Sequence, residues 1–435
     1  MKRLFVVAVC LAFAGIAANA QVTAIRAGRT IDPETGKIET NQIILVEGRD
    51  IKAVGGRVAI PSGATVIDLS KFTVMPGMMD AHAHLCMNTQ HKRDANNYYF
   101  TTLLDSSAKR AIQGAVNARS MLEYGFTTVR DIGNEGNYAC VEVRKAIEAG
   151  TIDGPTFITA GRIIAPYGGQ FHLQPDKQNL AEPEYFFADT RDEIRKAIRQ
   201  NIHYGATVIK LVVDDQPYIY SVDDIKFAIE EAHAAGLKLA AHAWTAAGAM
   251  NAAKAGVDSI EHAVAITDEA LAIAKQNNVA IAPIPFTEAD AVLSGTPGGN
   301  KDVNQRWFID PVQRANKAGV TLVWGPDVIF NTKDLPRGKL SIDTVDDWKL
   351  TGIPSLVILQ ALTTNPAWVL GVEKVRGWIK PGMRADIIAV RDNPLEKIET
   401  VKDVVFVMRH GKVYKNAERG VRNAELGGTG QNRER

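Results

Sequence analysis

Residues 237–263 read LKLAAHAWTAAGAMNAAKAGVDSIEHA, and this stretch decides the fold. Leu237 to His242 is a short apolar run ending on a histidine. Thr245 to Ala255 carries its apolar residues at helical spacing and closes on Gly256, and Ser259 to His262 is a second strand-like run that also ends on a histidine. Strand, helix and strand in this order form one βαβ unit with a polar group at the end of each strand.

The same texture extends in both directions, from Met75 to about Gly371. Further strand-like runs are Met78 to His82, Thr127 to Asp131, Thr156 to Ala160, Val208 to Val212, Val279 to Ala282 and Thr321 to Trp324, which makes eight with the two above. Helical patterns such as Asp223 to Ala235 and Asn304 to Ala318 separate them. Eight such units predict a (β/α)8 TIM barrel, with its active site where the strands end. A doubly wound open sheet would carry a Gly-rich phosphate loop after an early strand, and the sequence has none.

Outside the barrel the period changes to that of strands. Ala24 to Arg26, Gln42 to Glu47, Ile51 to Val54 and Thr65 to Asp68 precede it, and Asp386 to Val390, Val401 to Arg409 and Lys412 to Tyr414 follow it. The expected organisation is a small β-sandwich built from 21–75 and 373–420, with the barrel of 76–372 inserted and a polar, Gly-rich tail at 421–435.

A chain of 435 residues with net charge +1 has no basic excess to recruit nucleic acid. Residues 1–20 read as a secretory signal peptide: Lys2-Arg3, an apolar run from Leu4 to Ala18, and Ala18-Asn19-Ala20 before Gln21. They predict a periplasmic or secreted protein with no membrane anchor after cleavage. Cys86 and Cys140 then lie in an oxidising compartment, where they either bridge or pack as two small buried hydrophobes.

Polar groups at strand ends are the functional candidates. His82 and His84, in PGMMDAHAH (76–84), sit two apart and so face one side of a strand, where both can reach one metal ion. His242, His262 and Asp327 end or follow later strands. Imidazole and carboxylate donors suit zinc or a similar divalent ion. Lys210 lies within Val208-Ile209-Lys210-Leu211-Val212, either snorkelling to water or buried with a depressed pKa. A neutral buried amine reacts with carbon dioxide to give a carbamate, a carboxylate-like ligand able to bridge two ions.

The segments PGMMDAHAHL, TTVRDIG, VIKLVV, LAAHAWTAAGAMNAAKAGVDSIEHA, LVWGPD and IKPGMRADIIAVRDNPLEKIETVKDVVFVMRHGKVY together resemble the amidohydrolase superfamily, in its binuclear-metal branch with a carboxylated lysine. The resemblance spans nearly the whole chain after the leader. It implies one ion on His82, His84 and Asp327, a second on His242 and His262, carboxylated Lys210 and a water between them, and Asp327 as the group that takes and returns the proton. The family has a small residue before this aspartate, whereas here it is Pro326. The segments are most similar to the imidazolonepropionase-like group, whose members include Xaa-Pro dipeptidases, carboxypeptidases and ochratoxin hydrolases. That implies an amide substrate, release of a C-terminal amino acid, and assembly into a homo-oligomer.

Loop residues carry the choice of substrate. His172 after the third strand and Tyr218 after the fourth are candidates for binding a substrate carboxylate, or else a solvated histidine and a packed tyrosine. Arg130 with Asp131 reads as an ion pair propping the barrel mouth, Asp214-Asp215 as a solvated acidic turn, and Trp244 as a pocket wall or core residue. Alternation turns Glu261 away from His262, which argues against its ligating a metal. The same centre also serves cyclic amides, lactones and organophosphates elsewhere in the superfamily. A passive metal- or solute-binding protein is a further reading, against which Asp327 speaks, because a passive site needs ligands but no poised base.

Overall fold

The computed structural model describes residues 21–94, 97–287, 301–332, 335–416 and 421–422, so the expected leader and most of the expected tail lie outside the described residues. Four strands open the chain: β1 (Val22–Ile31), β2 (Ile38–Glu47), β3 (Asp50–Gly55) and β4 (Thr65–Pro76). Nine follow: β5 (Met78–Ala83), β6 (Phe126–Asp131), β7 (Thr156–Thr159), β8 (Ile163–Ala165), β9 (Tyr185–Phe187), β10 (Ile209–Val212), β11 (Leu239–Ala243), β12 (Ser259–His262) and β13 (Ala280–Ala282). Four close the chain: β14 (Ile387–Val390), β15 (Val404–Arg409), β16 (Lys412–Asn416) and β17 (Val421–Arg422).

The two ends of the chain share one eight-stranded sheet in the order β17-β16-β15-β14-β4-β1-β2-β3. β4 joins the halves. Its first part runs parallel to β1 (Ile25↔Ile67), and its last part runs antiparallel to β14 (Val74↔Ala389). Ile25, Ile44, Leu69, Ile387 and Phe406 fill its core. The sheet curls until Ile51, in β3, bonds Met383 just ahead of β14. Val421–Arg422, expected as the start of a free tail, pairs instead with β16.

β4 passes directly into the barrel through Gly77. A Cβ there would stand 2.1 Å from Thr127 Oγ1, so this junction admits only glycine. β5, β6 and β7 are parallel, as are β10 to β13, and two seams close the ring. Thr207 N donates to Thr159 O at 2.8 Å on one side. On the other, Ile281 and Leu322 form a parallel bridge and Ala81 N donates to Trp324 O at 2.8 Å. The eighth position is therefore occupied by 321–324, but not as a regular strand. Trp324 N donates outward to Ala361 O, and Pro326, with no N–H, cannot extend the ladder.

The third unit departs from the single strand expected for it. β8 pairs with β10 (Leu211↔Ile164) and with β9, so the third unit adds two short strands and swings 166–184 over the barrel mouth. Tyr185-Phe186-Phe187 is too short and isolated an apolar run to announce a strand. Outside the ring, Arg191–Tyr204 starts on a Thr190/Glu193 capping box and stops at Gly205, and Ala246–Ala255 starts on Thr245 and stops at Gly256. Cys86 and Cys140 form a disulfide between the segment after β5 and the helix Ala139–Glu148. Among the described residues, no helix is long and apolar enough to cross a membrane.

Candidate metal centre

Val208, just ahead of β10, and Ala240, in β11, belong to one buried apolar cluster below the mouth. Two residues further on each strand, Lys210 and His242 share that orientation and reach the mouth. His82 and His84 arrive from β5 and the residue beyond it. Asp327 arrives from the eighth position with φ +55°, its N–H held by His82 O at 3.1 Å. The preceding backbone is equally fixed, since a Cβ on Gly325 would stand 2.7 Å from His82 Cβ. Pro326 thus sits in a locally determined turn.

His262 does not obey strand alternation. Its φ is +69° and that of Ala263 is +53°, a left-handed turn that swings the imidazole into the mouth. The in-phase residue of β12 is Glu261, which points into the barrel, where its Oε1 accepts from Arg130 Nη2 at 2.7 Å and Oε2 lies 2.8 Å from His82 Nδ1. The expected Arg130–Asp131 pair is therefore absent. Arg130 crosses the interior to Glu261, and Asp131 accepts instead from Leu85 N (2.5 Å) and Gly133 N (3.3 Å).

The six predicted residues converge. His82 Nε2 and His84 Nε2 lie 3.6 Å and 3.1 Å from Asp327 Oδ1, and His262 Nδ1 lies 3.9 Å from Asp327 Oδ2. Ring centroids are 4.9 Å apart for His82 and His262 and 4.5 Å apart for His242 and His262. All four histidines and Lys210 are buried, and with Asp327 they line one cavity of about 160 Å³. Its remaining wall includes Met87, Tyr98, Asn134, Ile163, Gln170 and Trp244. Trp244 stacks on His262 at 5.2 Å.

His172 and Tyr218 do not line this cavity. His172 is exposed, and the Tyr218 hydroxyl donates to Tyr167 O at 2.6 Å on the surface. The polar groups that do face it, Tyr98, Asn134 and Gln170, were not legible in the sequence, because the excursion between β8 and β9 places Gln170. Asp214-Asp215 is no solvated turn. Asp214 is fully buried and accepts from Thr245 N (2.7 Å) and Thr245 Oγ1 (2.8 Å) at the start of the helix after β11, while Asp215 Oδ2 lies 2.8 Å from His242 Nε2. Arg337, also unforeseen, donates to His84 O, Val328 O and Met87 O at 2.7 Å each, tying the loops after β5 and the eighth position together.

The electrostatics suit a divalent ion. Burial lowers His82 to about 4 and, with His242 and His82 beside it, holds His262 well below its ordinary value, so both imidazoles are neutral as ligands must be. Burial also lowers Lys210 to about 8. Asp327 and His84 are the charged pair of the site: burial alone would raise Asp327 and lower His84, but the imidazoles beside it hold Asp327 below its usual range and Asp327 in turn raises His84. Among the described residues, His262 Nδ1 and Asp327 Oδ1 are buried without a hydrogen-bond partner. Buried donors and acceptors left this way are costly, and the set of imidazoles and a carboxylate fits zinc-type coordination.

Residues 73–414 match the model of the amidohydrolase family. The chain belongs to the amidohydrolase family. It is 29% identical over 438 residues to the ochratoxinase of Aspergillus niger, covering 91% of this chain and 87% of that protein. A solved Xaa-Pro dipeptidase with methionine bound in its active site superposes with a TM-score of 0.79 at 26% identity, over 91% of this chain and all of the other. The crystal structure of the A. niger ochratoxinase gives 0.76 at 26% identity over 92% and 96% of the two chains. The fold is the family's (β/α)8 barrel joined to a sheet of chain-end strands, and the protein is a hydrolase acting on amide bonds.

Proposed function

We propose that this amidohydrolase is an exported enzyme holding two divalent ions, and that it cleaves the amide of a peptide or N-acyl amino acid, ochratoxin-type amides included, to release the C-terminal amino acid. The convergence of His82, His84, Lys210, His242, His262 and Asp327 on one cavity carries this reading. The similarity to an ochratoxinase and to an Xaa-Pro dipeptidase supports the substrate class. The Cys86–Cys140 disulfide and the leader-like residues 1–20 support export.

His82, His84 and Asp327 would hold one ion, His242 and His262 the other, and Lys210, as its carbamate, both. Zinc suits these donors, and when bound the ions polarise the amide carbonyl and make a water nucleophilic near neutral pH. Lys210 supplies its own part: burial leaves much of the amine neutral near pH 8, and the amine adds to carbon dioxide with loss of one proton. Asp327, held ionised by His82 and His84, accepts the proton of the attacking water and delivers it to the departing nitrogen. Trp244, Met87 and Ile163 give the cavity an apolar wall for the acyl group. Tyr98, Asn134 and Gln170 offer neutral hydrogen bonds for orientation.

Metal analysis of the purified protein, followed by incubation with Xaa-Pro and Xaa-Phe dipeptides, N-acyl amino acids, a lactone and a cyclic imide, tests the proposal. Free amino acid should appear from the first three. Zinc-loaded protein that turned over only the lactone or imide would show that the released group is wrong, and one inert on the whole panel would leave a binding protein.

A further inference from the structure

A histidine that ligates a metal through one ring nitrogen gives the other N–H to a carboxylate or carbonyl, and that acceptor fixes the tautomer. Among the described residues, three of the four histidines have an oxygen within 2.8 Å of one ring nitrogen: that of His84 is a formed hydrogen bond, and those beside His82 and His242 are at hydrogen-bond distance without hydrogen-bond angle. His84 Nδ1 donates to Gly133 O at 2.7 Å. The other two acceptors are carboxylates on different elements. Glu261 Oε2 stands 2.8 Å from His82 Nδ1, and Asp215 Oδ2 stands 2.8 Å from His242 Nε2.

The geometry points to Glu261 and Asp215 as positioning residues, one behind each half of the metal centre, which hold His82 as the Nδ1–H tautomer and His242 as the Nε2–H tautomer. His82 then presents Nε2, the nitrogen nearer Asp327, and His242 presents Nδ1. The affinities of the two ions are thereby set by separate side chains. This rests on the two-ion reading above.

The two supports differ in kind. Glu261 is fully buried, with Arg130 Nη2 at 2.7 Å and Ser259 Oγ at 2.5 Å on its other oxygen, so it cannot turn away. Asp215 sits on the loop after β10 at φ +86°, with 23% of its side chain exposed. Its Oδ2 also accepts from Gln170 Nε2 at 2.8 Å, and Gln170 lines the cavity while the Tyr185 hydroxyl donates to its Oε1 at 2.8 Å. A group that displaces Gln170 therefore acts on the support of His242. The other partners of Glu261, Arg130 and Ser259, do not line the cavity.

The test uses Asp215→Asn and Glu261→Gln. Asn tolerates the left-handed backbone at 215, so this variant keeps its loop even if Glu261→Gln, which strands Arg130, fails to fold. Ring-nitrogen NMR of the metal-free protein with labelled histidine should show His82 protonated at Nδ1 and His242 at Nε2, with His242 alone becoming a tautomer mixture in Asp215→Asn. Zinc competition with a chelator should show one of two ions weakened by about 10- to 100-fold in each variant, and a different ion in each. Two ions with unchanged affinities in Asp215→Asn, or His242 protonated at Nδ1 in the wild type, would overturn the proposal alone. Wild-type protein that holds fewer than two zinc ions while showing the expected tautomers would overturn the two-ion reading and confine the proposal to its tautomers.

Discussion

The two halves of the centre are built differently. On the His82/His84 side His84 is hydrogen-bonded to the buried Gly133 O, fully buried Glu261 stands 2.8 Å from His82, Asp327 lies within 3.6 Å of both rings, and Arg337 and the Cys86 disulfide brace the loop that follows. On the His242/His262 side the partly exposed Asp215 stands 2.8 Å from His242, and His262 reaches its place through a left-handed turn, a conformation costing roughly 1–3 kcal/mol that the surrounding packing must offset. The described contacts therefore brace the first half more heavily than the second.

The largest test of that contrast is at Asp327 and its two histidines. Asp327→Asn should lower kcat by about 10²–10⁴-fold, as expected for loss of a proton-transferring group. His82→Ala with His84→Ala should release one ion and lower activity at least as far while circular dichroism still reports a folded barrel. Two ions and full activity in that double variant would put the centre elsewhere. The disulfide comes next. It closes a loop of 54 residues, and in the chain-entropy model its loss costs about 4 kcal/mol. Cys86→Ser with Cys140→Ser should therefore unfold at lower denaturant and weaken the ion at His84 before the ion at His242, read by denaturant titration and chelator competition. Equal weakening of both would remove the contrast.

The smallest test concerns the group the two halves share. Only neutral Lys210 reacts with carbon dioxide, and burial lowers its pKa to about 8. At constant dissolved carbon dioxide, the rate at which metal-free protein regains activity with zinc should rise about tenfold per pH unit well below 8 and level off above it, a difference of about 50-fold between pH 6 and pH 8. An exposed lysine would keep rising towards pH 10. A flat profile would show that Lys210 takes no carbon dioxide.

Much of the site was legible because barrel strands repeat a simple rule: a polar residue at the end of an apolar run points to the mouth. His82, His84, Lys210, His242, His262 and Asp327 were picked out as candidates that way. The rule led astray at Glu261, where the two-residue period correctly separated it from His262 but gave no sign of which one faced inward. The positive φ at His262 resolves this by letting both serve, and nothing in Ser259-Ile260-Glu261-His262 announces it. Arg130 likewise reads as a partner for its neighbour Asp131, although adjacent strand residues point apart and its real partner is Glu261, across the barrel.

The barrel, the pairing of the two chain ends and the six ligand-type candidates at strand ends were legible in the sequence, because they follow from local periodicity and from where each run stops; their meeting at one cavity, with His262 and Asp327 at positive φ, was not. Only the tertiary structure decided which groups stand behind the ligands and which line the cavity. Glu261, Asp215, Gln170 and Arg337 come from separate strands and loops, and their roles depend on distances of about 2.7–2.8 Å between elements far apart in the chain. His172, placed near the mouth by order along the chain, stands at the surface while Gln170, two residues away in the β8–β9 excursion, lines the cavity, and Tyr218 is held at the surface by its bond to Tyr167 O.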